Sequence, residues 1–175
     1  MSDLQSKLDQ VKANESWLER IKRYIPGYDG YVNRDNAREL DTVLRNKMAN
    51  KLEDNKTKLK NIVLTLSRDG KLFETSDLEK LEKKNENAIA KFKSAARGYS
   101  GAFDINKIKE GKLNQIYEFD HNLLTFVENL NKSFSDLEAK ANAKEDMKNY
   151  TPQISQSLDE LLRVFDDRED LLRQM

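Results

Sequence analysis

Between Leu113 and Ala141 the residues that repeat three and four apart form one unbroken series: Leu113, Ile116, Asp120, Leu123, Val127, Leu130, Phe134, Leu137 and Ala141. Such spacing follows the 3.6-residue helical period. A strand, whose side chains alternate every second residue, would scatter the same set over two faces. A second such series is Leu78, Leu81, Asn85, Ala88, Phe92, Ala95 and Tyr99. Three further stripes are present: Leu4, Leu8, Val11, Leu18 and Ile21 with Trp17 alongside; Ala37, Leu40, Leu44, Met48, Leu52, Leu59, Ile62 and Leu66; and Ile154, Leu158, Leu161, Phe165, Arg168 and Leu172 with Leu162 on the flank. No segment shows strand alternation. The expected fold is all-α: an elongated antiparallel bundle of about five long helices with coiled-coil-like packing.

Punctuation places the helices. The first runs from about Asp3 to Arg23 and is stopped by Pro26, because the residue before a proline avoids helical geometry. The second starts near Asn33 or Asp35 and reaches Leu66 or Ser67, with Asp69-Gly70 as its turn. The third opens on a capping box at Ser76 and Glu79 and stops at Gly98. The fourth runs from about Asn106 into the 140s, where a polar tail from Ala139 to Lys148 is expected to fray. Thr151 as a cap, followed by Pro152 in the first helical position, starts the last helix.

At 175 residues, with 35% charged and 37% hydrophobic, the chain reads as a single domain over 1–175. It contains no cysteine, so disulfides and thiolate metal sites are excluded. Neither a signal peptide nor an apolar run long enough to span a membrane is visible, and a cytoplasmic location is the expectation. Net charge is zero, yet residues 1–97 carry +5 and the remainder −5. Such asymmetry favours packing between the halves or head-to-tail association of copies.

Two loops depart from the helical pattern: Tyr24 to Tyr31, and Arg97 to Asp104. Each carries Gly-x-x-Gly, at Gly27–Gly30 and Gly98–Gly101. The helix order puts both at one end of the bundle. A glycine pair of this kind lets backbone approach phosphate in some RNA-binding folds, but those folds need strands. Tight turns capped by tyrosines with buried rings are the plainer reading. Tyr24, Tyr28, Tyr31, Arg34, Arg97, Tyr99 and Phe103 form a candidate interaction surface, since aromatics and arginine anchor most protein contacts.

Glu118 and His121 give Glu-x-x-His on a helix, the spacing of di-iron carboxylate bundles. His121 is the only histidine, so one chain cannot complete such a site. Asp120 has a core-phase position, and reflecting the chain through the loop near residue 102 sets it beside Asn85. Arg168 is a second candidate partner, giving a buried polar layer of Asn85, Asp120 and Arg168. The stretch Arg45, Lys47, Lys51, Lys56, Lys58 and Lys60 is diluted by Glu53 and Asp54 and scatters round its helix, a poor nucleic-acid face. Asp166, Asp167, Glu169 and Asp170 form an acidic run able to pair with the basic first half.

The series Ile25-Pro26-Gly27-Tyr28-x-Gly30-Tyr31 with Arg34, Asp35 and Arg38, then Arg97-Gly98-Tyr99-Ser100-Gly101-x-Phe103-Asp104 and Tyr117-Glu118-Phe119-Asp120, resembles a family of small, uncharacterised, all-helical prokaryotic proteins. The resemblance implies the helical fold and supplies no activity, ligand or catalytic residue. No cofactor motif is present. The functional expectation is a soluble helical interaction or scaffolding protein, more an assembler than an enzyme, using the tyrosine-rich end to meet a protein partner or a second copy. A metal-dependent bundle enzyme built on Glu118 and His121, and a weak nucleic-acid binder, are the alternatives.

Overall fold

A computed structural model describes residues 18–30, 34–94 and 110–174. Residues 18–24 are helical and form the described part of α1. Four helices follow: α2 (Arg34–Arg68), α3 (Thr75–Ser94), α4 (Glu110–Asn142) and α5 (Tyr150–Arg173), with a 3-10 turn at Leu72–Glu74 between α2 and α3. No strand occurs among the described residues. The second glycine loop, Arg97 to Asp104, lies outside them.

The apolar stripes become the interior. Leu44, Met48, Leu52, Leu59 and Ile62 of α2 meet Leu81, Ala88 and Phe92 of α3, Leu123, Val127, Phe134 and Leu137 of α4, and Leu158, Leu161 and Phe165 of α5 in one core. Phe92 and Phe165 stack edge to face with ring centroids 4.6 Å apart, the arrangement that ring quadrupoles favour.

Polar links along the seams show how the helices are placed. α2 packs on α3 and on α4; α5 packs on α3 and on α4. Consecutive helices run up and down, but α3 and α4 stand across the diagonal of the square. Polar links between α2 and α4 (Lys51 to Glu128, Asn61 to Glu138, Thr65 to Asn142) all join residues 77 apart, so those helices are parallel. Lys84–Asp159 and Lys91–Asp166 join α3 to α5 at a separation of 75, again in parallel. Helices α2 to α5 therefore form two hairpins, α2–α3 and α4–α5, laid side by side in register. Arg45, Met48, Leu52, Asn55, Leu59, Ile62 and Leu66 are buried, and one constant interval carries them onto the buried set Asp120, Leu123, Val127, Leu130, Phe134, Leu137 and Ala141.

Both hairpins turn by the same device. At the end of α2, Lys71 N–H reaches the Leu66 carbonyl at 2.8 Å and Gly70 N–H the Ser67 carbonyl at 3.3 Å, with Gly70 at φ +72. After α4, Glu145 N–H reaches Lys140 at 3.0 Å and Lys144 N–H reaches Ala141 at 3.1 Å, with Lys144 at φ 60. These are paired Schellman closures, which satisfy terminal carbonyls by one left-handed residue. The expected fraying after Ala139 is therefore not found: helix continues to Asn142, the closure follows, and Met147 is buried beyond it.

Two helix starts differ from the sequence reading. Ser76 lies inside α3, which is entered through the 3-10 turn, and Thr75 Oγ1 donates back to the Leu72 carbonyl at 2.7 Å. α5 begins at Tyr150, and Thr151 is buried with its hydroxyl on the Met147 carbonyl at 3.4 Å rather than capping.

The left-handed position costs a side chain about 1–2 kcal/mol and glycine nothing. Lys144→Gly should therefore raise stability by about 1 kcal/mol after the extra chain entropy of glycine is counted. The Lys144–Asp69 pair that it removes is partly exposed, with Lys144 67% and Asp69 18% exposed, and a pair of that kind contributes a few tenths of a kcal/mol. Urea unfolding of the variant beside the wild type measures the difference.

Candidate functional site

Five charged side chains are buried together near the start of α4. Arg168 of α5 is completely enclosed, and its guanidinium meets three carboxylates. Nε donates to Asp120 Oδ1 at 2.6 Å, Nη2 lies 2.7 Å from Asp41 Oδ1, and Nη1 donates to Glu169 Oε1 at 3.3 Å. The Asp41 contact is a close ion pair without hydrogen-bond alignment, which leaves that oxygen with no formal hydrogen bond. Arg45, one helical turn beyond Asp41 on α2, donates from Nε to Asp41 Oδ2 at 2.8 Å. It also donates from Nη1 to the Phe92 carbonyl at 2.9 Å and from Nη2 to Thr42 Oγ1 at 3.3 Å. Phe92 belongs to α3, so this bond ties the Arg45 guanidinium on α2 to the backbone of the neighbouring helix. Tyr28 completes the cluster: its hydroxyl donates to Asp120 Oδ2 at 3.4 Å from a fully buried ring.

Local sequence explains how the cluster is presented. Asp41 and Arg45 are four apart and share a face of α2. Asp120 and Arg168 hold core positions in the stripes of α4 and α5. Tyr28 enters because Pro26 ends α1 and Gly27 and Gly30, at φ +83 and +79, turn the chain inward. Gly30 permits the approach. A Cβ there would lie 2.6 Å from the Tyr117 hydroxyl and 2.9 Å from Leu18 Cδ2.

Charge balance governs the chemistry. Two guanidiniums face three carboxyls, and Glu169 is the one with a single, longer contact to Arg168. Burial, reinforced by the nearby Asp41 carboxylate, pushes the Glu169 carboxyl up to about 7 from its ordinary 4.5. With that proton bound, the cluster balances two against two. The nitrogens of Arg168 are engaged by protein carboxylates on all sides, and both oxygens of Asp120 are engaged as well. The arrangement fastens helices together and presents no open edge to a substrate.

Of the expected surface residues, Tyr28 is not on the surface at all, because its ring fills the core and its hydroxyl serves Asp120. Tyr24 is half-buried, with Lys51 Nζ 5.9 Å over its ring. Arg34 opens α2. Tyr31, Arg97, Tyr99 and Phe103 fall outside the described residues. Of the polar layer, Asp120 and Arg168 come together. Asn85 does not join them: its amide donates to the Leu52 carbonyl at 2.9 Å and accepts from Asn55 at 3.4 Å. That second layer sits on α2 roughly 16 Å below Asp41 at the helical rise. Reflection through the loop fails because α3 and α4 are diagonal, so Asn85 has α2 as its neighbour.

Glu118 is exposed and His121 partly covered. Burial first, and Arg20 second, hold the imidazole below its ordinary range. Among the described residues no three His, Cys, Asp or Glu side chains are grouped to hold a metal ion. The basic stretch is largely committed within the chain: Arg45 is buried, Lys51 meets Glu128 at 2.6 Å, Lys56 meets Glu86 at 3.3 Å and Lys58 caps the Asn131 carbonyl at 3.0 Å. The acidic run is likewise split, with Asp166 on Lys91, Asp167 on Arg163 and Glu169 in the cluster. None of the described helices is long and apolar enough to cross a membrane. Comparison with protein-family models, with curated proteins and with solved structures yields no match for this chain.

A raised carboxyl pKa means the native state holds a proton that the unfolded chain releases. The favourable contribution is whole below about 4.5, declines as pH rises to about 7, and is lost above. Glu169→Gln keeps the acceptor for Arg168 and removes the titration. The stability of the variant relative to wild type should rise between pH 5 and 8 by something on the order of 2 kcal/mol. Urea unfolding across that range gives the comparison, and a difference that does not move with pH would remove the assignment of the proton to Glu169.

Proposed function

We propose that this chain is a helical interaction or scaffolding protein that docks on a folded protein partner through the corner where α2 turns into α3. The observation that carries the reading is Phe73, 100% exposed, with Leu72 58% exposed beside it. An aromatic and an aliphatic side chain on a short 3-10 turn between two long helices make an exposed apolar knob. Aromatic side chains are enriched where protein surfaces meet, and one that fills a partner's pocket removes a large apolar area from water. Tyr28, one member of the tyrosine-rich end, is spent inside the bundle.

The buried charged cluster supports a non-catalytic reading in a different way. Its groups pair with one another, so the polar chemistry of the interior goes into assembly. A scaffold needs that rigidity.

A photo-cross-linking amino acid incorporated at position 73 should give a discrete higher-mass adduct in cells of the native source. The same group at Gln156, which is exposed on α5, should not. Equal adducts from both positions, or none from position 73 with the protein folded by circular dichroism, would contradict the proposal.

A further inference from the structure

The outer side of the α2–α3 hairpin carries a groove of about 340 Å³ lined by Lys56, Lys60 and Val63 on the α2 side and by Leu78, Glu79 and Glu82 on the α3 side. Its two walls have opposite charge. At the upper end Lys56 bridges to Glu86 at 3.3 Å and closes the gap within the chain. Below that point the walls do not meet: Lys60, Glu79 and Glu82 are exposed and make no ion pair among the described residues. One turn beyond Lys60 on the same helix face, Leu64 is 48% exposed. The half-buried Val63 packs against the core beside it.

We propose that this groove is a self-association surface, occupied by the same groove of a second copy of the chain. The reason is symmetry of charge. A two-fold axis running along the groove lays α2 of one copy over α3 of the other, so Lys60 faces the partner's Glu79 and Glu82, and the reverse pair forms by symmetry. Each overlaid pair of helices is then antiparallel, because α2 and α3 run in opposite directions. A two-fold axis across the helices sets Lys60 over Lys60 and is repelled. Leu64 and Val63 supply the apolar centre that charge pairs alone would lack, and the pairs that stay unmade within one chain fix the register. This surface is separate from the Phe73 corner, and the association needs no other protein.

Sedimentation of the full chain from low to high micromolar concentration at low salt tests it. Wild type should move as a dimer whose dissociation rises with salt. Lys60→Glu should weaken association roughly tenfold or more, and so should Glu79→Lys combined with Glu82→Lys, by placing like charges across the interface. An equimolar mixture of the two variants should regain the dimer, since every facing pair is again opposite in sign. Circular dichroism of these surface variants should match the wild type. A wild type that stays monomeric throughout overturns the proposal, as does a dimer that is indifferent to Lys60→Glu or a mixture that does not recover.

Discussion

The structure depends on one enclosed guanidinium. Arg168 is removed from water and meets Asp120 of α4, Asp41 of α2 and its own neighbour Glu169. Burying an ion pair gains little over packed hydrocarbon, but stranding one member of it costs about 3–5 kcal/mol. The cluster is therefore stable only when every contributor is in place. Through Arg45 it also reaches the last turn of α3, and through Tyr28 the glycine loop ahead of α2. A slip of any helix by one turn would leave a charge without its partner. That penalty sets the register that greasy stripes, repeating every turn, leave degenerate.

The position of the cluster within the fold follows from the tandem arrangement. Arg45 of the first hairpin and Asp120 of the second occupy corresponding places in the two core stripes. Two apolar hairpins could slide past one another; the buried Arg168–Asp41 pair, which joins α5 of the second hairpin to α2 of the first, resists that. The shared Schellman closures at Gly70 and Lys144 then bring both hairpins round at the same level, and exposed pairs such as Lys84–Asp159 follow the register without setting it.

Much of this was legible in the chain. The three-and-four spacing marked the four long helices α2 to α5, while most of the first expected helix lies outside the described residues; it also marked Asp120 and Arg168 as polar residues in core phase, because a charged residue in a buried series must have a partner. Which partner was harder. Asn85 has the same signature, and period alone does not say which helices are neighbours, so reflection through the loop pairs α3 with α4 although they stand across a diagonal. Asp41 and Arg45 lie at the edge of their stripe and look like ordinary exposed charges; their spacing of four, on the side of Leu44 and Met48, was the available signal. Glu169 was hidden in an acidic run whose other members are exposed. An aromatic loop beside arginines suggests a surface, whereas Pro26 and the left-handed glycines turn Tyr28 inward. Nothing in the periodicity distinguishes Phe73, whose isolation shows only once the helices beside it are packed.

If the cluster fastens the hairpins together, the elements that it joins cannot open separately. Native-state hydrogen exchange reads this directly. Amides around Asp41 and Arg45, around Asp120 and around Arg168 should share one opening free energy, equal to that of global unfolding. An α5 that exchanges around Arg168 through a lower-energy opening, while α2 and α4 remain protected, would show that the cluster is not what holds them.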